Sequence, residues 1–142
     1  MKPSKGFLAT LLLILALGII VLLPPLNQHR PDERMPVFRI EIRSIASALK
    51  TNQAVFRSYP TGDAVLISKA LRGDNPRKMV LLEARSNGIS IKGELLDLWG
   101  TPYEIGIVGQ TNLVIRSAGP NKKFGDADDI IFNSVSNNFV KP

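Results

Sequence analysis

Residues 37 to 56 read VFRIEIRSIASALKTNQAVF, and their spacing predicts a helix with one apolar side. Phe38, Ile42, Ile45, Leu49 and Phe56 fall on one face at the 3.6-residue period. Arg39, Arg43, Ser47 and Lys50 take the other face. Such a helix draws its stability from covering the apolar stripe, because helix propensity in water is marginal at this length. The partner must come from the rest of the chain. The helix should end before Tyr59-Pro60-Thr61-Gly62, a turn signal.

Downstream, a short helix is expected from about Asp63 to Arg72, with Gly73 in the left-handed position that closes it. Met79 to Glu83 is a short apolar run that suits a strand, and Ser86-Asn87-Gly88 suits a turn. Tyr103 to Val108 and Asn112 to Ser117 are strand-like runs separated by Gly109-Gln110-Thr111, the pattern of a hairpin with a glycine-containing loop. Ile130-Ile131-Phe132 is a further strand candidate, and the polar tail from Asn133 to Pro142 should fray. The class expected is α+β: an amphipathic helix with a small antiparallel sheet packed on it.

Upstream, residues 7 to 26 read FLATLLLILALGIIVLLPPL, twenty positions without a charge. At about 1.5 Å per residue this reaches roughly 30 Å, the thickness of a bilayer's hydrocarbon core. A cleavable signal peptide usually has an apolar region of only about 7–15 residues and a small-x-small cleavage site. The following PPLNQHRPDERMP offers none, so the segment reads as a retained transmembrane helix. Lys2 and Lys5 precede it with no acidic residue, which places the N-terminus in the cytoplasm and the remainder across the membrane. Pro24, Pro25, Pro31 and Pro36 punctuate the exit, and residues 27 to 36 read as a Pro-rich linker or kinked helix leading to a domain over 37 to 142.

The net charge of +6 comes from 18 basic and 12 acidic residues. The basic residues are scattered without interleaved aromatics, which argues against nucleic acid as a partner. The chain has no cysteine and one histidine, His29, just past the apolar run. No Ser/His/Asp or Cys/His arrangement can form in the domain, and no phosphate-cradling glycine loop is present, so no enzymatic activity is expected.

One constellation offers ligands. Within residues 117 to 130, SAGPNKKFGDADDI, the side chains of Asn121, Asp126, Asp128 and Asp129 supply oxygens within nine residues. Gly119 and Gly125 let the backbone fold back. Hard cations take 6–8 oxygens from carboxylates, amides and carbonyls. The spacing is not that of an EF-hand, and a solvated acidic turn accounts for it equally well. Asp97-Leu-Trp-Gly-Thr-Pro-Tyr103 reads as structural, with Trp99 and Tyr103 buried under a turn made by Gly100 and Pro102.

Four strings taken in order resemble the major pseudopilin of type II secretion systems: Lys5-Gly6-Phe7 before an apolar run, Ala48-Leu49 with Tyr59-Pro60-Thr61, Asp97 to Tyr103, and Ser117-Ala118-Gly119 leading to Asp128-Asp129-Ile130. The resemblance spans nearly the whole chain. It implies a pilin-like fold, a leader over residues 1 to 6 removed by a prepilin peptidase between Gly6 and Phe7, and a stalk helix continuing the membrane helix. It implies a single-pass inner-membrane protein with a periplasmic domain. Such a protein assembles with other pseudopilin subunits and the inner-membrane platform into a short filament for protein secretion. It also implies calcium in the C-terminal loop, held by side-chain oxygens of Asn121, Asp128 and Asp129, with Asp126 as an extra ligand and carbonyls near Ser117. The sequence departs from the family at Leu11, where a glutamate is usual, and at Asn121, where an aspartate is common. The rival reading is a membrane-tethered calcium-binding or interaction module that never polymerises.

Overall fold

The computed structural model describes residues 34–109 and 111–140. The expected transmembrane segment over residues 7–26, the expected processing site at Gly6 and Phe7, Leu11 and most of the expected linker lie outside the described residues. Residues from Arg34 onward form one compact unit. Its elements are α1 (Met35–Phe56), α2 (Ala64–Leu71), β1 (Glu104–Val108), β2 (Asn112–Ser117), β3 (Ile130–Asn133) and β4 (Asn138–Val140). The class is α+β, with a four-stranded antiparallel sheet in the order β1-β2-β3-β4.

The apolar stripe of α1 does what its period requires. Phe38, Ile42, Ile45 and Leu49 are buried, and Arg39, Arg43, Ser47 and Lys50 are exposed. Phe56, at the last turn, is half-buried, with the Arg77 guanidinium 6.0 Å from its ring. The helix begins two residues before the expected start, at Met35, and takes Pro36 into its first turn. Proline is tolerated there because the first-turn N–H groups have no intrahelical acceptor. Arg57, with φ of 62°, ends the helix ahead of Tyr59.

The second helix matches its sequence signals. The Asp63 side chain accepts the Leu66 N–H at 2.9 Å as the N-cap, and Gly73 follows with φ of 109°. Residues 79 to 83 do not form the strand expected of them. Val80 makes a single bridge to Arg72, and the N–H groups of Leu81 and Leu82 both donate to the Leu71 carbonyl, at 2.8 and 3.0 Å. The segment is spent on the open carbonyl end of α2. Asn75 fixes it there, donating to the Ala70 and Met79 carbonyls and accepting the Met79 N–H.

The sheet lies over α1. Strand β2 alternates, with Leu113, Ile115 and Ser117 buried and Val114 and Arg116 half-buried on the other face. Leu113, Ile115, Ile130 and Phe132 join the α1 stripe, Leu71, Leu95, Trp99 and Tyr103 in one core. The tail does not fray up to Val140: Asn138–Val140 pair with Ile131–Asn133 as a fourth strand. Phe139 anchors it, with ring centroids 5.1 Å from Phe132 and 6.3 Å from Phe38. Arg39 and Arg43 of α1 cover the outer side of the same ring, at 5.0 and 5.6 Å.

A polar staple joins α1 to the irregular segment before the sheet. Arg85 donates to Glu41 Oε1 at 3.0 Å, to Asn87 Oδ1 at 3.0 Å, and to the carbonyls of Leu96 and Asp97 at 3.1 and 2.9 Å. Burial pushes the Glu41 carboxyl up from its ordinary 4.5, more than the hydrogen bond and charge of Arg85 pull it down, and the Asp97 charge adds to the rise. A carboxyl raised in the folded state favours folding when protonated. Its contribution is full below the unfolded value and is lost as pH rises through the higher folded value. Glu41→Gln, which keeps an acceptor for Arg85, should therefore stabilise the domain at pH 7 and lose that advantage near pH 4. Urea midpoints at the two pH values check this, and an equal difference at both contradicts it.

Candidate functional site

The loop between β2 and β3 is tied down at both ends by buried carboxylates. Asp97 is 1 % exposed. Its Oδ1 accepts the N–H groups of Trp99 and Thr101 at 3.0 and 2.8 Å, and its Oδ2 accepts the Ser117 hydroxyl at 2.6 Å. The Ser117 Oγ in turn accepts the Gly119 N–H at 3.1 Å. The turn of residues 97 to 103 thus positions the start of the loop, and the string that read as structural is its foundation. The charges of Glu41 and Asp97 add to burial in pushing the Tyr103 hydroxyl far above the tyrosine range, so it stays protonated.

Gly119 is where the loop closes on itself. Its φ is 66°, and a Cβ there would land on the Asp128 carbonyl oxygen. Only glycine allows both the left-handed backbone and that approach. Gly119 therefore runs directly against the Asp128 backbone, which closes the loop on itself.

Asp129 holds the other end and is also 1 % exposed. Its Oδ2 accepts from Arg116 Nη2 at 2.6 Å, Arg116 Nε at 3.1 Å and the Gly125 N–H at 2.8 Å. Burial alone would raise this carboxyl, but the Arg116 guanidinium and the Gly125 N–H outweigh it and hold it below the ordinary carboxylate range. The second oxygen, Oδ1, is buried and has no hydrogen-bond partner among the described residues. An orphaned, ionised, buried oxygen is rare in folded proteins and marks a place for a water or a cation.

The other expected ligands are arranged differently. Asn121 Nδ2 donates to Asp126 Oδ2 at 2.7 Å, and Asn121 Oδ1 accepts the Lys123 N–H at 2.9 Å. Asp126 Oδ1 accepts the Asp128 N–H at 2.9 Å. Asp128 is half-buried, and the Ser117 hydroxyl is committed to Asp97. Among the described residues, no three His, Asp or Glu side chains gather at metal-binding distance. Among the described residues of the loop, the one buried side-chain oxygen that leaves room for a hard cation is Asp129 Oδ1. Asn121 and Asp126 are instead bonded to each other.

Sequence reasoning missed Arg116. It carries the key ion pair to Asp129, bonds Glu104 Oε2 at 3.0 Å across the sheet, and stacks 4.9 Å from the Phe124 ring centroid. Its signal was its place on the alternate face of a strand next to Ser117. Searches with this chain match no family model, no curated protein and no solved structure.

Proposed function

We propose that the chain is a pilin-like structural subunit of a type II secretion or related assembly, held in the inner membrane with its domain in the periplasm. One observation carries this reading. A 22-residue helix starts nine residues after a twenty-residue apolar run, and its buried face lies under a four-stranded antiparallel sheet. Its other face stays open along its length. That arrangement suits a subunit whose helix packs against its own sheet on one side and against neighbours on the other. The loop from Ser117 to Ile130 takes calcium in this reading, through Asp129 Oδ1 and Asp128, with Asn121, Asp126 and carbonyls near Ser117 as further oxygens. Calcium there supplies charge neutralisation and holds the loop closed; the chain has no catalytic role.

Leu11 gives the reading a test. A carboxylate within a membrane is costly and persists only with a partner. In the family this chain resembles, a glutamate at this position sets the register between neighbouring membrane helices. Leu11 lacks that charge complementarity, so the chain should self-assemble poorly. Because the chain has no cysteine, a single Leu15→Cys reports that contact directly. Disulfide-linked dimers should form in the native membrane, and adding Leu11→Glu should increase their yield. No dimer in either background contradicts the subunit reading and favours a tethered module.

A further inference from the structure

A pocket of about 220 Å³ opens beside α1, between its first two turns and the segment from Leu82 to Arg85. Val37, Ile40, Ile45, Leu82 and Leu95 give it apolar walls. Val37 and Ile40 stand 53 % and 67 % exposed at its lip, on a helix whose Phe38, Ile42, Ile45 and Leu49 are buried. Glu41, Glu83 and Arg85 line it as well. Glu41 Oε1 is engaged by Arg85, while its Oε2 is buried without a partner among the described residues. Glu83 is exposed. Arg85 is spent on Glu41 and on the carbonyls of Leu96 and Asp97, so Glu83 is the carboxylate this apolar recess presents at its rim.

The complement stands on the same chain. Ile91 is 108 % exposed, the most exposed large apolar residue described, and Lys92 beside it is exposed too. They form the tip of a tight turn that is rigidly built. Ser90 N–H donates to the Glu94 carbonyl at 2.9 Å and Gly93 N–H to the Ser90 carbonyl at 2.9 Å. The Ser90 hydroxyl bonds the Glu94 carboxylate at 2.9 Å and accepts the Glu94 N–H at 3.0 Å. Ile89 and Leu95 bridge below it. A tip held this firmly loses little entropy on docking. Nothing in the fold of the domain needs an isoleucine standing wholly in water.

We propose that the Ile91-Lys92 tip of one copy docks in the α1 pocket of the next, Ile91 between Ile40 and Leu82 and the Lys92 amine toward Glu83. An apolar cavity of about 150 Å³ accepts a benzene-sized group, so this one has room for the isoleucine side chain. Lys92 next to the knob and Glu83 next to the hole match in sign. Tip and pocket are different surfaces, so the contact is heterologous. Contacts of that kind propagate into filaments when the rotation does not close. The inference rests on the subunit reading and names the surface that would serve it.

The test uses the full chain in its own membranes. Two differently tagged chains are co-expressed, one carrying Ile91→Cys and the other Ile40→Cys, so that any mixed adduct joins two copies. A mixed 91–40 adduct should form on mild oxidation. Lys92→Glu in the first chain should reduce its yield roughly tenfold, and Glu83→Lys in the second should restore it. All four positions are exposed, so the variants keep the fold. Leu15→Cys is run alongside as the independent report of self-association. Membrane adducts at residue 15 with no 91–40 adduct would overturn this interface and leave the subunit reading standing. Adducts at neither pair would overturn both. A 91–40 adduct indifferent to Lys92→Glu would overturn the docking geometry, since chance collision has no use for that charge.

Discussion

Phe38→Ala is expected to lower the melting temperature of the domain by roughly 15 °C or more. Phe38 is fully buried and is the point where the parts of the fold meet. Its ring centroid lies 5.3 Å from Trp99, 6.4 Å from Tyr103 and 6.3 Å from Phe139, so it touches the turn before the sheet, the entry to β1 and strand β4. Truncating a buried phenylalanine costs about 3–5 kcal/mol through lost transfer energy and the cavity left behind. Domains have only about 5–15 kcal/mol in total, and each kcal/mol moves the melting point of a domain this size by about 4–8 °C. Val37→Ala, one residue away and exposed, should change stability by no more than about 0.5 kcal/mol. Thermal melts of a chain shortened to residues 34–142, followed by circular dichroism, make the comparison. Similar losses at the two positions would contradict the assignment of the α1 stripe to the core.

Calcium should raise the melting temperature of the same shortened chain by roughly 10 °C when present at about one hundred times its dissociation constant. Binding to the folded state alone adds about 2.7 kcal/mol at that ratio. The receiving atom is Asp129 Oδ1, buried and unpartnered, while Arg116 occupies only the opposite oxygen. Asn121 in place of a carboxylate weakens the site, so millimolar calcium is the range to use. Asp129→Ala would also strip Arg116 of its partner and confuse the result. Asp128→Ala is the cleaner variant because its carboxylate, unlike that of Asp129, holds no ion pair or hydrogen bond among the described residues. It should remove most of the calcium response while leaving the melt in chelator near that of the parent. Identical melts in calcium and in chelator would reduce the loop to a polar turn closed by its own hydrogen bonds.

Much of this architecture was legible in the sequence, and the reasons differ from element to element. The α1 stripe was readable because five apolar residues keep a 3.6 period, and four of them are buried. The β1–β2 hairpin and β3 were readable because β-branched runs are separated by turn residues. Strand β4 was not, because a single large apolar residue, Phe139, holds it among asparagines and serines. Residues 79 to 83 misled for the opposite reason. They are apolar enough for a strand, yet the open end of α2 captures their N–H groups. In the loop, the ligand candidates were visible as types, but their pairing was not. Which carboxylate Arg116 neutralises, and which oxygen that leaves alone, depends on register across the sheet. Spacing along the chain carries no record of it.

The central claim, that this chain is a processed subunit anchored by residues 7–26, is tested most directly by the intact mass of the protein recovered from its own membranes. The account predicts a chain that starts at Phe7, with Met1 to Gly6 removed and the apolar run retained. A mass that still contains Met1 to Gly6, or one that has lost the apolar run as well, would contradict it.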